Sequence, residues 1–215
     1  MTKQICIIGG SFDPIHMGHL QMARSAQAQC LADEVWFLPA GQPWQKKGQL
    51  VASPVERLHL TQMAIEGVRS WRVEPCETES AEPSCTANTL QALAEAHPDY
   101  QFNFVIGADQ LANLTTWKYW QSLFDYARIG VVDRSDWGDF KAPAPLKRHL
   151  IHNRLFRIPM PAVNISSSEI RRLFGVLHHS NPKVVETARL KLETVLPSRV
   201  WGYLQRHEIY GRPVE

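Results

Sequence analysis

The chain has 215 residues, 44% of them hydrophobic and 20% charged, with a formal net charge of only +2. That length and apolar content suit one folded domain over residues 1–215 and exclude a disordered chain, and so small a net charge gives no electrostatic footprint for nucleic acid or a membrane surface. No apolar stretch approaches the roughly 18 residues that span a bilayer, no signal-peptide pattern opens the chain, and Cys6, Cys30, Cys76 and Cys85 form neither a C-x-x-C pair nor a zinc-finger spacing with histidine, so a reducing, cytoplasmic setting is expected.

Gln4–Ile8 is a short β-rich apolar run that reads as a buried strand and stops at Gly9-Gly10. Leu20–Cys30 is rich in Ala and Gln and reads as a helix. Glu34–Leu38 is a second strand, stopped by Pro39. Ser53-Pro54-Val55-Glu56 is a helix start: Ser53 caps, Pro54 suits the first helical position and Glu56 completes a capping box, with the helix running to about Gly67. Trp71–Pro75 reads as a strand, Thr86–Ala96 as a helix, and Gln101–Ile106 as a strand followed at once by Gly107-Ala108-Asp109. A helical pattern covers Gln110–Ala127, Arg128–Val132 is a strand, and 135–153 reads as a loop with a short helix. Leu155–Ile158 is the last strand; Ser166–Phe174, ended by Gly175, and Pro182–Gln205 read as helices. Strands alternating with helices predict an α/β fold: a Rossmann-like parallel sheet with helices on both faces, and a small helical portion at about 166–215. In such sheets ligands sit outside the carboxyl ends of the strands, where strand order reverses.

Charge is uneven along the chain. From Lys141 to Arg172 there are seven basic residues (Lys141, Lys147, Arg148, Arg154, Arg157, Arg171, Arg172) against one acid, Glu169. This stretch suits either an anionic ligand or a solvated basic face.

Chemistry concentrates in Gly9-Gly10-Ser11-Phe12-Asp13-Pro14-Ile15-His16-Met17-Gly18-His19. Glycines after a strand let backbone approach a phosphate with no Cβ in the way, and the helix that follows offers free N–H groups and the positive end of its dipole. His16 and His19 are three residues apart and share a face in a helical turn, placing two imidazoles as donors to phosphate oxygens. Residue by residue a glycine turn, a cap and two surface histidines would do; strand, Gly-Gly, Asp-Pro, His-x-Gly-His and helix in succession point to phosphate chemistry. A zinc site would need further ligands that the sequence does not mark. There is no G-x-x-x-x-G-K-[ST] and no G-x-G-x-x-G, which argues against P-loop kinases and dinucleotide-linked dehydrogenases.

The Gly9–His19 stretch resembles the signature of the nucleotidyltransferase superfamily with the (T/H)xGH motif. Ile106-Gly107-Ala108-Asp109 with Trp117 and Trp120 downstream, and Ile165-Ser166-Ser167-Ser168-Glu169-Ile170-Arg171, resemble segments of the bacterial nicotinate-nucleotide adenylyltransferases. Where that family often has Ser-Tyr-Thr and Arg-Pro-Gly, this chain has Ser84-Cys85-Thr86 and Arg134-Ser135-Asp136. The resemblance implies transfer of the adenylyl group of ATP to nicotinate mononucleotide, giving nicotinate adenine dinucleotide and pyrophosphate in NAD biosynthesis, with Mg2+ arriving on ATP and no protein metal cage. It implies ATP contacts from Gly9, Gly10, Ser11, Phe12, His16, His19, Gly107, Asp109, Ser166, Ser167 and Arg171, with His16, His19 and Arg171 stabilising charge during transfer. Mononucleotide contacts would come from Lys46 or Lys47, and from Thr86, Asp109, Trp117 and Arg134.

The residues themselves agree with these roles. Ser166 and Glu169 form a capping-box pattern that starts a helix with donors aimed outward, and Arg171, one turn in, is placed to reach a phosphate bidentately. Asp109 follows a strand end, where a carboxylate accepts from ribose hydroxyls, or caps the helix from Gln110. Trp117 suits stacking on a pyridinium ring, or a core position. Thr86 heads a helix whose free N–H groups suit a carboxylate. The rival readings are an adenylyltransferase for another phosphate, such as phosphopantetheine, and a non-catalytic nucleotide sensor. Monomer and homodimer are both open.

Overall fold

The computed structural model describes residues 2–43, 48–80, 82–133, 142–161 and 163–211. Six strands form one parallel sheet: β1 (Lys3–Gly10), β2 (Glu34–Pro39), β3 (Trp71–Val73), β4 (Tyr100–Gly107), β5 (Ala127–Asp133) and β6 (Leu155–Pro159), in the spatial order β3-β2-β1-β4-β5-β6. Strand order therefore reverses between β1 and β4, and a crevice opens there at the carboxyl ends.

The helices are α1 (Met17–Cys30), α2 (Pro54–Ile65), α3 (Thr86–Ala96), α4 (Ala108–Asn113), α5 (Leu123–Tyr126), α6 (Lys147–Ile151), α7 (Ser167–Val176), α8 (Pro182–Val195) and α9 (Ser198–His207). Because alternate strand residues face opposite sides, each face of the sheet builds its own core. Cys6, Ile8, Val35, Phe37, Val105, Val132 and Ile158 pack with α1, α2 and the C-terminal helices α7–α9 through residues such as Ala23, Leu60, Leu173, Leu192 and Trp201. Ile5, Ile7, Trp36, Phe104, Ile106 and Ile129 face the other way, against Leu90 of α3, Leu111 of α4 and Phe124 of α5. No helix among the described residues is long and apolar enough to cross a membrane.

Several sequence expectations need correction. The helix expected over Gln110–Ala127 is broken: α4 ends at Asn113, 3-10 turns follow at Leu114–Thr116 and Trp120–Ser122, Trp117 is extended (ψ 142) and Tyr119 is left-handed (φ 56). Thr115, Thr116 and Trp117 are weak helix formers, and the break lets Trp117 pack edge-on to Phe104, with ring centroids 6.4 Å apart. The single helix expected over Pro182–Gln205 is two, because Pro197 forces Leu196 into extended backbone (ψ 143) and restarts the chain as α9. Gly175 lies inside α7 and does not end it. At the head of α7, Ser166 accepts from the Glu169 N–H, but the Glu169 carboxylate turns outward to Arg172 and Lys191, so only half of the expected box forms. By contrast, both halves of the Ser53–Glu56 box close, with Pro54 first in the helix.

Candidate active site

One cavity of about 500 Å3 occupies the crevice between β1 and β4. Gly9, Gly10 and Ser11 from the end of β1 line it, as do His19, Gly107 and Asp109, and Ser166 and Ser167 close one side. Thr86, Trp117 and Lys118 line the other.

The turn between β1 and α1 sets this geometry. A Cβ on Gly9 would stand 2.7 Å from the Phe104 ring, and one on Gly10 2.7 Å from the Phe12 ring, so packing alone demands both glycines. Phe12 is left-handed (φ 48), and its buried ring meets His19 edge-on at 5.0 Å. His16 caps α1: its Nδ1 accepts from the Gly18 N–H at 3.1 Å, while the His16 N–H donates to Nδ1 of His19 at 3.2 Å. With both Nδ1 atoms accepting, Nε2 is the donor nitrogen of each ring. The rings stack, with centroids 3.8 Å apart. His16 is only 1% exposed and His19 alone of the pair lines the cavity, so the two do not stand side by side as equivalent donors.

Asp13 fastens this turn to three other segments. Its carboxylate accepts from the Val51 and Ala52 N–H groups at 2.9 and 3.0 Å and from the Tyr210 hydroxyl at 2.8 Å. Arg171 donates to its carbonyl at 2.7 Å, lies 3.5 Å from its carboxylate, and reaches Ser168 Oγ at 3.3 Å. The Ser167 hydroxyl donates to the Pro14 carbonyl at 3.0 Å. These contacts dock the N-terminus of α7 beside His19, which brings a helix N-terminus and an imidazole to one cavity wall. They also occupy the Arg171 guanidinium, and neither Arg171 nor Phe12 lines the cavity.

On the far side Thr86 is the first residue of α3, where backbone N–H groups are free of helical partners. Asp109 sits in the first turn of α4, behind the cap residue Gly107, so it is not the helix cap; it is exposed on the cavity wall, and its carboxylate accepts from the Gln110 amide at 3.2 Å. Trp117 Nε1 is buried and has no hydrogen-bond partner among the described residues. Lys46, Lys47 and Arg134 lie outside the described residues.

Residues 7–173 match the Cytidylyltransferase-like family model. A probable nicotinate-nucleotide adenylyltransferase of Bordetella petrii is 37% identical over 211 residues, covering 97% of this chain and 99% of the relative. The chain belongs to the nicotinate-nucleotide adenylyltransferase family. A family relative of the same name from Listeria monocytogenes is 31% identical across 99% of this chain and 100% of its own length. The fold is shared with Plasmodium falciparum nicotinic acid mononucleotide adenylyltransferase, solved in complexes with NaAD (TM-score 0.74, 22% identity, 99% of this chain and 100% of that one) and with APC (TM-score 0.72, 21% identity, same coverage).

Beyond the residues expected from the sequence, this family member places Glu77, Ser84, Gln110 and Lys118 on the cavity wall. Glu77 is 7% exposed; burial pushes its carboxyl above the ordinary range, against the opposing pull of the Ser84 and Thr89 hydroxyls, the Gly41 N–H and the Arg57 charge. Arg57 had a visible signal: it falls on the buried stripe of α2 with Leu60, Thr61 and Ile65, where a charge is out of place. Glu77 had none, being one acid among several in a loop.

Proposed function

We propose that the cavity binds ATP on the His19–Ser166 side and nicotinate mononucleotide on the Thr86–Trp117 side, and that the mononucleotide phosphate attacks the α-phosphorus of ATP in line. One observation carries this reading: a single continuous cavity is walled by the β1 turn, His19 and the α7 N-terminus at one side and by Thr86 and Trp117 at the other. A bond forms between a mononucleotide phosphate oxygen and the α-phosphorus, the α–β bridging bond breaks, and its electron pair leaves with pyrophosphate. The attacking oxygen is already anionic, so no general base is required and the protein's task is positioning and charge stabilisation.

His19 carries its proton on Nε2 and is the donor we assign to the α-phosphoryl oxygens. His16 shares the catalytic unit by stacking on His19 and capping α1. Ser166 and Ser167 present N–H groups to the phosphate chain, and Arg171 supplies positive charge behind them while holding the turn. Gly9, Gly10, Ser11 and Gly107 let backbone approach, with Phe12 buttressing His19. Asp109 is assigned to ribose hydroxyls, Thr86 to the nicotinate carboxylate and Trp117 to the pyridinium ring; Lys46 or Lys47, together with Arg134, completes the mononucleotide contacts in this proposal.

Among the described residues no group of three or more His, Cys, Asp or Glu side chains converges as a metal cage. Mg2+ arriving on ATP is part of this proposal, and the ion would supply charge neutralisation on the triphosphate.

The reading is tested with His19→Ala at saturating ATP, Mg2+ and nicotinate mononucleotide. Loss of one transition-state donor costs about 10²- to 10³-fold in kcat. A kcat close to that of wild type removes the role assigned to His19.

A further inference from the structure

The side chain of Arg57 is fully buried in α2 and belongs to none of the contacts assigned above. It donates to four carbonyls: Nε to Ala52 at 3.3 Å, one terminal nitrogen to Ser11 at 2.7 Å and to Ala40, and the other to Gly41 at 2.7 Å. Burying a charge is costly, and where only packing is at stake apolar side chains do as well or better. Burial lowers the guanidinium's pKa, and the carbonyl dipoles and nearby Asp13 and Glu77 carboxyls offset part of that cost. A guanidinium offers what no apolar side chain can, several donors fixed in one plane. Beyond the Nε bond to Ala52 at the head of its own helix, its terminal nitrogens are directed at two turns that both line the cavity.

Each turn continues into one side of the site. Ser11 leads to Asp13 and Pro14, which hold Arg171 and Ser167 at the head of α7. Gly41 leads the other way: its N–H donates to Ser84 Oγ at 2.9 Å, two residues before Thr86. A Cβ on Gly41 would stand 1.9 Å from the Glu77 carbonyl oxygen, so this turn is seated against the loop that carries Ser84. The path Ser167–Pro14–Ser11–Arg57–Gly41–Ser84 thus joins the two ends of the cavity through direct hydrogen bonds and short stretches of backbone.

We propose that Arg57 is a positioning residue that makes the turns after β1 and β2 one rigid body and so sets the separation of the two substrates for in-line transfer. This rests on the two-substrate reading of the cavity. Arg57 touches neither substrate; its effect falls on the relative placement of both.

The test compares the full-length wild type with Arg57→Lys, Ser84→Ala and the double variant. Lysine keeps the charge but cannot span the four carbonyls, and Ser84→Ala cuts the same link at Gly41 outside the core. For Arg57→Lys kcat per folded molecule falls about 10- to 100-fold, the range expected of a misplacement near 1 Å, while the KM of each substrate changes by less than about threefold. Ser84→Ala shifts kcat in the same direction, and the double variant is no worse than Arg57→Lys because both cut one path. A merely structural Arg57 would lower Tm and leave kcat of the folded fraction unchanged; that result, or multiplying effects in the double variant, overturns the proposal. If Arg57→Lys does not fold, Ser84→Ala decides alone, and an unchanged kcat overturns it. If the wild type forms no dinucleotide, the substrate reading has failed. Amide hydrogen exchange then decides the Arg57 proposal: faster exchange at both 9–13 and 40–43 in the folded variant supports it, and a change at one turn only, or at neither, overturns it.

Discussion

Removing the hydroxyl of Tyr210 isolates one bond of the Asp13 hub. The ring is 5% exposed and packs 5.7 Å from Phe174, so Tyr210→Phe leaves its apolar contacts in place. What is lost is a 2.8 Å hydrogen bond to a carboxylate that is itself 1% exposed. A hydrogen bond to a buried charged group contributes about 1.5–3 kcal/mol. For a chain of this size that corresponds to a fall in Tm of roughly 4–8 °C, taking about 2 kcal/mol at about 2–4 °C per kcal/mol. Because Asp13 also holds Arg171, the KM for ATP rises about 3- to 10-fold, equivalent to about 0.7–1.4 kcal/mol, with a smaller change in kcat. Scanning calorimetry and initial rates of pyrophosphate release read the two effects. The alkaline limb gives an independent check. Burial first, then the Asp13 charge and hydrogen bond, push the Tyr210 phenol above its ordinary value of 10.0. The folded state therefore keeps a proton that the unfolded chain releases. The contribution is full below pH 10 and is lost as pH rises toward the folded value, so the Tm gap between wild type and Tyr210→Phe narrows above about pH 10. A Tm within about 1 °C of wild type at neutral pH, with KM for ATP unchanged, refutes the hub.

Trp117→Ala removes the ring assigned to the pyridinium. A cation–π contact of about 1–2 kcal/mol converts to a rise of about 5- to 30-fold in KM for nicotinate mononucleotide, with the KM for ATP unmoved; equal changes in both would contradict the assignment. Glu77→Gln reports on the buried acid. Because burial raises the Glu77 carboxyl above its ordinary 4.5, its contribution to stability is full below that value and declines as pH rises through the folded value. Urea midpoints measured between about pH 4 and 8 should show the variant gaining on the wild type with increasing pH, and parallel curves would show that Glu77 does not titrate in this way.

Much of this architecture was legible because local patterns and the fold agree. The sequence bounds of Thr86–Ala96 are those of α3, and the Ser53-Pro54-x-Glu56 signal opens α2 as capping chemistry dictates. Gly9-Gly10 at the end of β1 marks the crevice, since a glycine-rich strand end at the point where order reverses suits a ligand site. The failures came where tertiary contacts override local preference. Residues 110–127 contain neither glycine nor proline, so the weak helix formers Thr115, Thr116 and Trp117 are the one local sign of a break that Trp117 and Trp120 use to reach the second core. Pro197 is a local stop that the helical pattern on either side masks. The roles of Asp13 and Tyr210 were hidden for a different reason: a contact across 197 positions leaves no periodicity in a single sequence. The same holds for Arg171, whose spacing from Ser166 was visible but whose bond to the Asp13 carbonyl was not.

The reversal of strand order has a consequence for assembly. The first strand made becomes a central one, and it pairs both with β2, close by in the chain, and with β4, where Ile5 lies in register with Phe102. That second pairing closes a long loop and is the slow kind of step. The crevice does not exist until it is complete, because its lining draws on both halves of the sheet, Gly9 and Gly10 from β1 and Gly107 from β4. A triphosphate seated there clasps the seam between the halves, so ligand should protect that seam first and slow its parting more than it slows fraying at β3 or β6.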